Sequence, residues 1–171
     1  MASDVQVLNG IRVVEMTVWV AGPSAGGIMA DWGADVIKVE PPTGDPQRDI
    51  YKALGYRDDL PNPSFGLDNR GKRSVVLDLL EGSGRSAMEK LLETADVFLT
   101  NMRPAALEKL GFDADQVTAR HPRLVYTTIT GYGIGGEESW RPGYDIGALS
   151  RGFADSSRPK LSCVLVSQPL T

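Results

Sequence analysis

Short runs of β-branched residues alternate with segments of helical length, and this alternation constrains the fold more than any other feature. Residues 11–16 predict a strand, a helix capped by Ser24 runs to Gly33, and residues 35–40 predict a second strand. A single helical crossover between two strands makes them parallel, with a right-handed connection. The chain therefore begins with a βαβ unit.

The alternation continues through residue 130. The pattern predicts strands at 74–79, 96–100 and 124–130, with helices at 84–94, from Pro104 to Gly111, and from Asp113 to His121 and Pro122. Strands that alternate with helices are typical of an α/β fold, in which helices cover both faces of a mostly parallel sheet. Between these units, residues 41–69 carry five prolines and no sustained period, which predicts a long surface excursion.

Composition excludes several classes of protein. The 171 residues carry 18 Lys plus Arg against 22 Asp plus Glu, so the net charge of −4 offers no basic field for nucleic acid. Cys163 and His121 are single residues of their types, too few for a Cys/His zinc site. No apolar run reaches the roughly 18 residues of a membrane span, and the first residues lack a secretory signal. A cytoplasmic protein with one packed core is expected.

In open parallel sheets, ligands bind beyond the carboxyl ends of the strands, where helix N-termini offer N–H groups. The segments 17–24, 41–42, 101–103 and 131–136 are expected to converge there. Small residues would let a ligand approach the backbone closely, although each one also fits an ordinary tight turn. These residues are Ala21, Gly22, Gly26 and Gly27.

Residues 131–136 match the glycine pattern G-x-G-x-x-G of dinucleotide sites. Two acids and a proline follow where an apolar helix should begin, so the pattern is interpreted as a glycine-rich loop. His121 is interpreted as a structural or capping residue, and no Ser-His-Asp set can be assembled.

A cluster of cations precedes the third predicted strand, at Arg70, Lys72 and Arg73. Its charge and guanidinium geometry suit a phosphate-bearing ligand, and the alternative is a solvated charge run. Arg103 and Lys109 are expected on the same rim of the sheet.

Six ordered motifs carry a family resemblance. They are Leu8-Asn-Gly-Ile-Arg-Val-Val-Glu, Ala21-Gly-Pro, Asp31-Trp-Gly-Ala-Asp-Val-Ile-Lys-Val-Glu-Pro41, Asn69-Arg-Gly-Lys-Arg-Ser-Val-Val-Leu-Asp78, Ala95-Asp-Val-Phe-Leu-Thr-Asn101 and Pro142-Gly-Tyr-Asp145. The sequence resembles the N-terminal part of class III CoA-transferases, the family of formyl-CoA transferase, carnitine CoA-transferase and α-methylacyl-CoA racemase. The resemblance covers residues 8–149, and the tail 150–171 departs from the family as if truncated or frame-shifted.

The resemblance implies a Rossmann-like large domain at 1–149, a small domain supplied by later sequence, and a homodimer of interlocked subunits. It also implies a place in acyl-CoA and fatty acid metabolism. Tyr144 is implied to line the acyl pocket. The implied CoA contacts are Val20, Ala21, Pro41, Leu77, Asn101, Met102 and Lys109, to which charge alone adds Lys72 and Arg73. Leu80 and Val20 depart from the family pattern, where some members have a phosphate-contacting lysine and a glutamine, respectively.

The family chemistry moves CoA from an acyl-CoA to a carboxylic acid through an aspartyl nucleophile. The resemblance places that aspartate just beyond Thr171, because Asp155 comes too early and lacks the flanking glycine, so this chain alone is expected to be inactive. Racemases of the family carry a histidine at the position of Tyr144, whose phenol is a poor base. The alternatives are a CoA-binding or subunit-interaction module, a racemase, and an NAD-dependent dehydrogenase. Exposed apolar surface is expected to cause self-association.

Overall fold

The computed structural model describes residues 6–56, 61–137, 139, 141 and 143. These residues contain five strands, six α-helices and one short 3₁₀ helix. The strands are β1 Arg12–Met16, β2 Asp35–Glu40, β3 Arg73–Val76, β4 Val97–Thr100 and β5 Val125–Thr128. The α-helices are α1 Ala21–Asp31, α2 Ile50–Ala53, α3 Pro63–Asp68, α4 Gly82–Leu92, α5 Pro104–Leu110 and α6 Ala114–Arg120, and the 3₁₀ helix is Pro46–Asp49.

The five strands form one parallel sheet in the order β3-β2-β1-β4-β5. The central strand β1 pairs with β2 and β4, so that Val14 lies beside Ile37 on one side and Phe98 on the other. The chain first builds the sheet outward from β1 to β3 and then returns to build β4 and β5 on the other side of β1. The prediction of an α/β fold with a mostly parallel sheet is confirmed.

Successive residues of each strand point to opposite faces of the sheet, and helices cover both faces. On one face, Val14 and Phe98 pack with Met88 of α4, Leu107 of α5 and Val117 of α6 in the larger apolar core. On the other face, Val13, Val36 and Leu99 form a smaller core with the Ala34 turn, and α1 packs over β1, β2 and β4. The smaller core gives way to charged side chains toward the carboxyl ends of β1 and β2.

Local capping signals placed the later helices correctly. Pro104 opens α5, and Gly111 closes it in the left-handed region at φ 82°. The Asp113 carboxylate accepts the N–H of Gln116 and caps α6. Ser24 differs from its predicted role, because α1 already begins at Ala21 and the Ser24 hydroxyl donates to Asp68 instead. That carboxylate is distant in sequence, so the local pattern could not reveal it.

Two predicted strands are longer than the observed ones. Strand β3 ends at Val76 rather than at residue 79, and β5 spans Val125–Thr128 rather than 124–130. After β3 the chain turns, because the Asp78 carboxylate accepts the N–H of Leu80, and the Asp78 carbonyl packs against Gly84 of α4. Helix α4 consequently starts at Gly82, slightly earlier than predicted.

The prediction of an irregular surface excursion at 41–69 is wrong for much of that segment. It holds the 3₁₀ helix, α2 and α3, and the side chains of Asp45, Gln47 and Asp68 are buried. Asp45 and Asn62 each precede a proline and cap the helix that this proline opens. The two Asx-Pro pairs therefore mark helix starts within a segment that was predicted to be irregular.

The predicted tail at 150–171 and Tyr144 lie outside the described residues. The division into 1–149 and 150–171 stays a prediction. Among the described helices, none has both the length and the apolar character needed to cross a bilayer.

Candidate functional site

The carboxyl ends of all five strands meet at one edge of the sheet, which is called the carboxyl edge below. Val20 and Ala21 follow β1, Pro41 follows β2, and Leu77 follows β3. Asn101 and Met102 follow β4 directly. Because the strands are parallel and adjacent in the sheet, the topology gathers these six residues at the same edge. This was predicted for the segments 17–24, 41–42 and 101–103, and Leu77 joins them because β3 ends at Val76.

The direction in which strands are added reverses between β1 and β4. At such a switch point the two connecting segments leave the sheet toward opposite faces and open a crevice between them. The segment 17–20 and the segment that begins at Asn101 are the two connections at this switch point, and the Asn101 side chain binds Val18 between them. Val20 and Ala21 are exposed there, whereas Met102 is partly covered.

Helix α1 begins at this edge and supplies polar backbone groups. Its N-cap is Val20, whose side chain cannot cap, and the helix has no side-chain cap among the described residues. Pro23 lacks an N–H, so the start of this 11-residue helix offers the N–H groups of Ala21, which is exposed, and of Gly22, which is buried. The N-terminus of such a helix favours negative charge.

Side chains from three other elements bind the backbone of the segment 17–19. The Lys38 ammonium donates to the Thr17 carbonyl over 3.0 Å. The Asn101 amide binds both groups of Val18, accepting from the N–H at 2.9 Å and donating to the carbonyl at 2.7 Å. The Asp45 carboxylate accepts the N–H of Trp19 at 3.1 Å. The loop between β1 and α1 is therefore fixed at three consecutive residues.

Four charged side chains, Glu15, Lys38, Asp45 and Lys72, form a buried cluster beneath this loop. The Lys38 ammonium lies 2.9 Å from Asp45 and 3.4 Å from Glu15, and the Lys72 ammonium lies 2.7 Å from Glu15. All four side chains are at most 2% exposed. Desolvation lowers the pKa of Lys72, and the nearby carboxylate of Glu15 partly opposes this. Two positive and two negative charges balance inside the cluster.

Glu40 anchors the end of β2 next to the cluster. Its carboxylate accepts two hydrogen bonds from the Arg48 guanidinium at 2.7 Å each, one from the Ser74 hydroxyl and one from the N–H of Asp45. The Arg48 hydrogen bonds, helped by those of Ser74 and Asp45, lower the pKa of Glu40 to about 2 despite its burial. This network holds residues 41–48 against the sheet.

The structure corrects the prediction that the cations before β3 share a rim with Lys109. Lys72 is buried, and its ammonium contacts Glu15, the Pro23 carbonyl and Asn69. Arg73 begins β3 and therefore lies at the amino edge of the sheet, where it forms an ion pair with Asp35. That ion pair lowers the pKa of Asp35. Neither cation reaches the carboxyl edge as an exposed phosphate ligand.

The other predicted polar residues have mixed positions. Lys109 is exposed in the last turn of α5. Arg103 is exposed at the N-cap of α5, close to the carboxyl edge. His121 caps the end of α6 and lies 2.8 Å from Glu89, so its structural assignment agrees with its position. No group of three or more His, Cys, Asp or Glu among the described residues is arranged to hold a metal ion.

An open cleft of about 330 Å³ lies at the carboxyl end of β3. Leu77, one of the predicted contacts, lines it together with residues of the turn and of the first turn of α4. The lining residues are Val76, Leu77, Asp78, Glu81, Ser83 and Gly84. This cleft continues the carboxyl edge beyond Pro41.

Beyond β5, two glycines bring distant parts of the chain together. A Cβ on Gly131 would collide with the Cα of Gly143, and the reverse holds as well. The described residues of 131–143 contain no helix, which agrees with interpreting 131–136 as a loop rather than a dinucleotide site. The backbone at Gly143, next in sequence to Tyr144, is thereby held at the end of β5.

Sequence reasoning missed Asp45 and Trp19. The Asp-Pro pair at 45–46 signals a helix cap, and that signal could have drawn attention to Asp45. Trp19 has φ 66°, in the left-handed region. No local pattern announces this, because tryptophan is not a residue that favours this region.

A parallel sheet whose strand order reverses at β1 is the architecture of open α/β proteins, a class whose ligands bind at that switch point. The family model described as CoA-transferase family III matches residues 8–156. The chain belongs to this family.

Curated relatives share a large part of the chain. It is 44% identical over 139 residues to the "Probable fatty acyl-CoA transferase Rv3272" of Mycobacterium tuberculosis, covering 81% of this chain and 35% of that protein. It is 37% identical over 150 residues to the "Cinnamoyl-CoA:phenyllactate CoA-transferase" of Clostridium sporogenes, covering 87% of this chain and 36% of that protein. The chain thus spans about a third of the length of these relatives.

Solved structures show the same fold. A crystal structure of a mutant of Rv3272 superposes with a TM-score of 0.76 at 38% identity, covering 95% of this chain and 43% of that one. A CAIB/BAIF family protein from Brucella suis gives a TM-score of 0.77 at 38% identity, covering 85% and 39%. The observed sheet therefore corresponds to less than half of these folds.

Proposed function

We propose that this chain is the CoA-binding part of an enzyme that moves CoA between an acyl-CoA thioester and a carboxylic acid. The observation that carries the proposal is the convergence of the residues that follow the strands at the carboxyl edge, on both sides of the switch point. There the exposed start of α1 and the residues after four neighbouring strands form one surface. Relatives named as CoA-transferases, which share this part of the chain, support the same reading.

The edge offers complementary groups for the nucleotide end of CoA. The N–H group of exposed Ala21 would face the phosphates, since a helix N-terminus favours anions. Val20, Pro41, Leu77 and Met102 would contact the adenine and pantetheine through apolar surface. Arg103, at the N-cap of α5, is an exposed cation near this surface, whereas Lys109 lies at the opposite end of α5 and Lys72 and Arg73 take structural roles.

The chemistry we propose for the whole enzyme is acyl transfer through a carboxylate nucleophile. An aspartate oxygen attacks the thioester carbonyl, the C–S bond breaks, and CoA leaves as a thiolate. The thiolate then attacks the aspartyl carbonyl of the mixed anhydride and releases the first acid, leaving CoA on the aspartate. The acceptor carboxylate then attacks the aspartyl thioester, releases the CoA thiolate and forms a second mixed anhydride. The thiolate attacks the acceptor's carbonyl in that anhydride, which gives the new acyl-CoA and restores the aspartate carboxylate.

By the family resemblance, this aspartate would follow Thr171, and Tyr144 would line the acyl pocket. Both positions lie outside the described residues. The role proposed for the 171 residues is accordingly to bind and orient CoA, with no thioester exchange of their own. A homodimer and a place in fatty acid metabolism belong to the same proposal.

The proposal is tested by titrating CoA into the chain and following binding by calorimetry, with NADH as the competing ligand class. We expect saturable CoA binding, no NADH binding and no exchange of label between acyl-CoA and free acid. Absence of CoA binding, or preference for NADH, would overturn the proposal. Exchange catalysed by the chain would refute the placement of the nucleophile beyond Thr171.

A charge variant tests the position of the phosphates. Ala21→Asp places a carboxylate at the start of α1, where it stabilises the helix but repels an anionic ligand. We expect CoA affinity to fall about tenfold with no loss of thermal stability. The matched control is Ala119→Asp in α6, which changes the net charge equally and should leave affinity unchanged. Equal affinities for the two variants would place the phosphates elsewhere.

A further inference from the structure

Trp19 adopts a backbone conformation that its side chain disfavours. Among the described residues that are not glycine, Trp19 alone has a positive φ, at 66°. For a bulky residue this conformation is uncommon and costs free energy, because the Cβ approaches the following carbonyl oxygen. It persists only where the surrounding structure determines it.

Side chains from elsewhere in the fold bind the backbone just before the Cα of Trp19, and α1, which packs over the sheet, begins just after it. Asp45 accepts the N–H of Trp19 itself, and Asn101 binds both backbone groups of the preceding Val18. Asn101 and Asp45 come from different connections, the one after β4 and the one after β2. The loop is thus fixed from two neighbouring strands at the place where it turns toward α1.

The left-handed conformation of Trp19 positions the first residues of the proposed ligand surface. Val20 follows Trp19 directly and is the N-cap of α1, so the direction of the chain at Trp19 sets where Val20 and Ala21 lie. A change of φ at Trp19 alters the direction in which the chain leaves the fixed segment 17–19 toward Val20 and Ala21. The conformation of one backbone bond therefore controls two of the proposed CoA contacts.

We propose that Asn101 and Asp45 are positioning residues, which hold Trp19 in its left-handed conformation and so preorganise Val20 and Ala21 for CoA. This rests on the proposed function. It assigns to Asn101 a role through the Val18 peptide rather than the direct contact with CoA that the family resemblance implies. An asparagine amide has two donors and two acceptor lone pairs, of which Val18 uses one of each.

The free-energy cost of the left-handed conformation sets the expected loss of CoA affinity. Without Asn101, the disfavoured conformation is only a minor part of the population, and the apparent affinity falls in proportion to the binding-competent fraction. The usual cost of a left-handed residue makes that fraction about one tenth. We therefore expect Asn101→Ala to weaken CoA binding about tenfold.

A second substitution separates positioning from direct contact. Glycine reaches positive φ readily, so Trp19→Gly removes the penalty that Asn101 offsets. We expect Asn101→Ala to weaken CoA binding by less than about threefold in the Trp19→Gly background. A direct contact would give the same loss in both backgrounds.

The experiment measures CoA affinity for the wild-type chain, the two single variants and the double variant, with hydrogen exchange at the Val18 amide as the second readout. We expect Asn101→Ala to speed exchange at Val18. The control is Tyr126→Phe, which removes a buried hydrogen bond to the Phe112 carbonyl on the opposite face of the sheet. It should change neither CoA affinity nor exchange at Val18.

The outcomes distinguish this proposal from the proposed function. If the wild-type chain fails to bind CoA, both are overturned. If it binds CoA but Asn101→Ala binds equally well, or loses the same factor in both backgrounds, only the positioning role is overturned. Should Asn101→Ala fail to fold, Asn101→Ser replaces it, with a loss of at least about threefold that must likewise shrink in the Trp19→Gly background.

Discussion

Glu40 is a single carboxylate that joins three parts of the chain. It ends β2, accepts from Ser74 of β3, and binds Arg48 and the N–H of Asp45 in the connection that follows. These hydrogen bonds to the charged form explain why its pKa falls to about 2, although burial acts in the opposite direction. The ionised form of Glu40 therefore stabilises the folded state.

This pKa predicts an acid-sensitive contribution to stability. The folded pKa of about 2 lies below the usual glutamate value of 4.5, so the contribution is complete above about pH 4.5 and is lost as the pH falls toward 2. The shift corresponds to up to about 3 kcal/mol. We expect Glu40→Gln to lower the free energy of unfolding in urea at pH 7 and to flatten its decline between pH 4.5 and 2. Exposed Glu93→Gln is the control, and parallel pH profiles for wild type and Glu40→Gln would contradict the prediction.

Gly26 shows how closely α1 approaches the sheet. A Cβ at this position would overlap the Glu15 carboxylate and come within 3.1 Å of the Lys72 side chain. We expect Gly26→Ala to lower the free energy of unfolding by about 3 kcal/mol, measured by urea titration. Gly66→Ala in α3 is the matched control, because no atom lies within 4 Å of its added Cβ. It should be neutral or slightly stabilising, since alanine is the better helix former. Equal effects at the two glycines would refute this account of α1 packing.

At the scale of elements, α6 depends on its first residue. The Asp113 carboxylate accepts the N–H of Gln116, which would otherwise lack a helical partner. We expect Asp113→Ala to cost about 1 kcal/mol of stability, measured by thermal and urea unfolding. Asp113→Ser keeps an oxygen that can cap and should retain most of the stability. If the serine variant is destabilised as much as the alanine variant, the Asp113 carboxylate stabilises the helix in another way than by capping.

Elements whose ends depend on local chemistry could be predicted from the sequence. Asp113, Pro104 and Gly111 act on backbone groups within a few residues, so their positions in the chain fixed the bounds of α5 and α6. Ser24 misled the prediction of α1, because its hydroxyl is bound by Asp68, 44 residues away. The helices within 41–69 were missed because their buried side chains are polar rather than apolar. Hydrophobic periodicity cannot reveal such helices.

At the scale of the whole molecule, the carboxyl edge was predictable because parallel strands bring their ends together whatever their exact length. The structural role of Lys72 could not be predicted from the sequence, because its partner Glu15 lies 57 residues earlier and only the folded sheet brings the two together. Arg73 could have been excluded from the carboxyl edge, because it precedes a predicted strand. The left-handed Trp19 had no sequence signal, since it is imposed by Asn101 and Asp45 from two other connections.

The edges of the sheet give a prediction about association. Strands β3 and β5 are the outer strands of the described sheet, and Val125 of β5 is 42% exposed. Unpaired backbone groups beside apolar side chains favour pairing between chains. We expect sedimentation velocity to show concentration-dependent association, reduced by Val125→Lys. Val7→Lys, which alters an exposed valine outside the sheet, should not reduce it. A wild-type chain that stays monomeric at all concentrations would contradict the prediction.

The buried cluster of Glu15, Lys38, Asp45 and Lys72 restricts how this sequence can diverge. Removing one of its members leaves an opposite charge without a partner in the protein interior, where water cannot solvate it. Replacing an oppositely charged pair together keeps the interior neutral. Homologous sequences should therefore vary at these four positions in correlated pairs. A library that randomises Glu15 alone should yield almost no folded clones, while one that randomises Glu15 with Lys72 should recover apolar combinations.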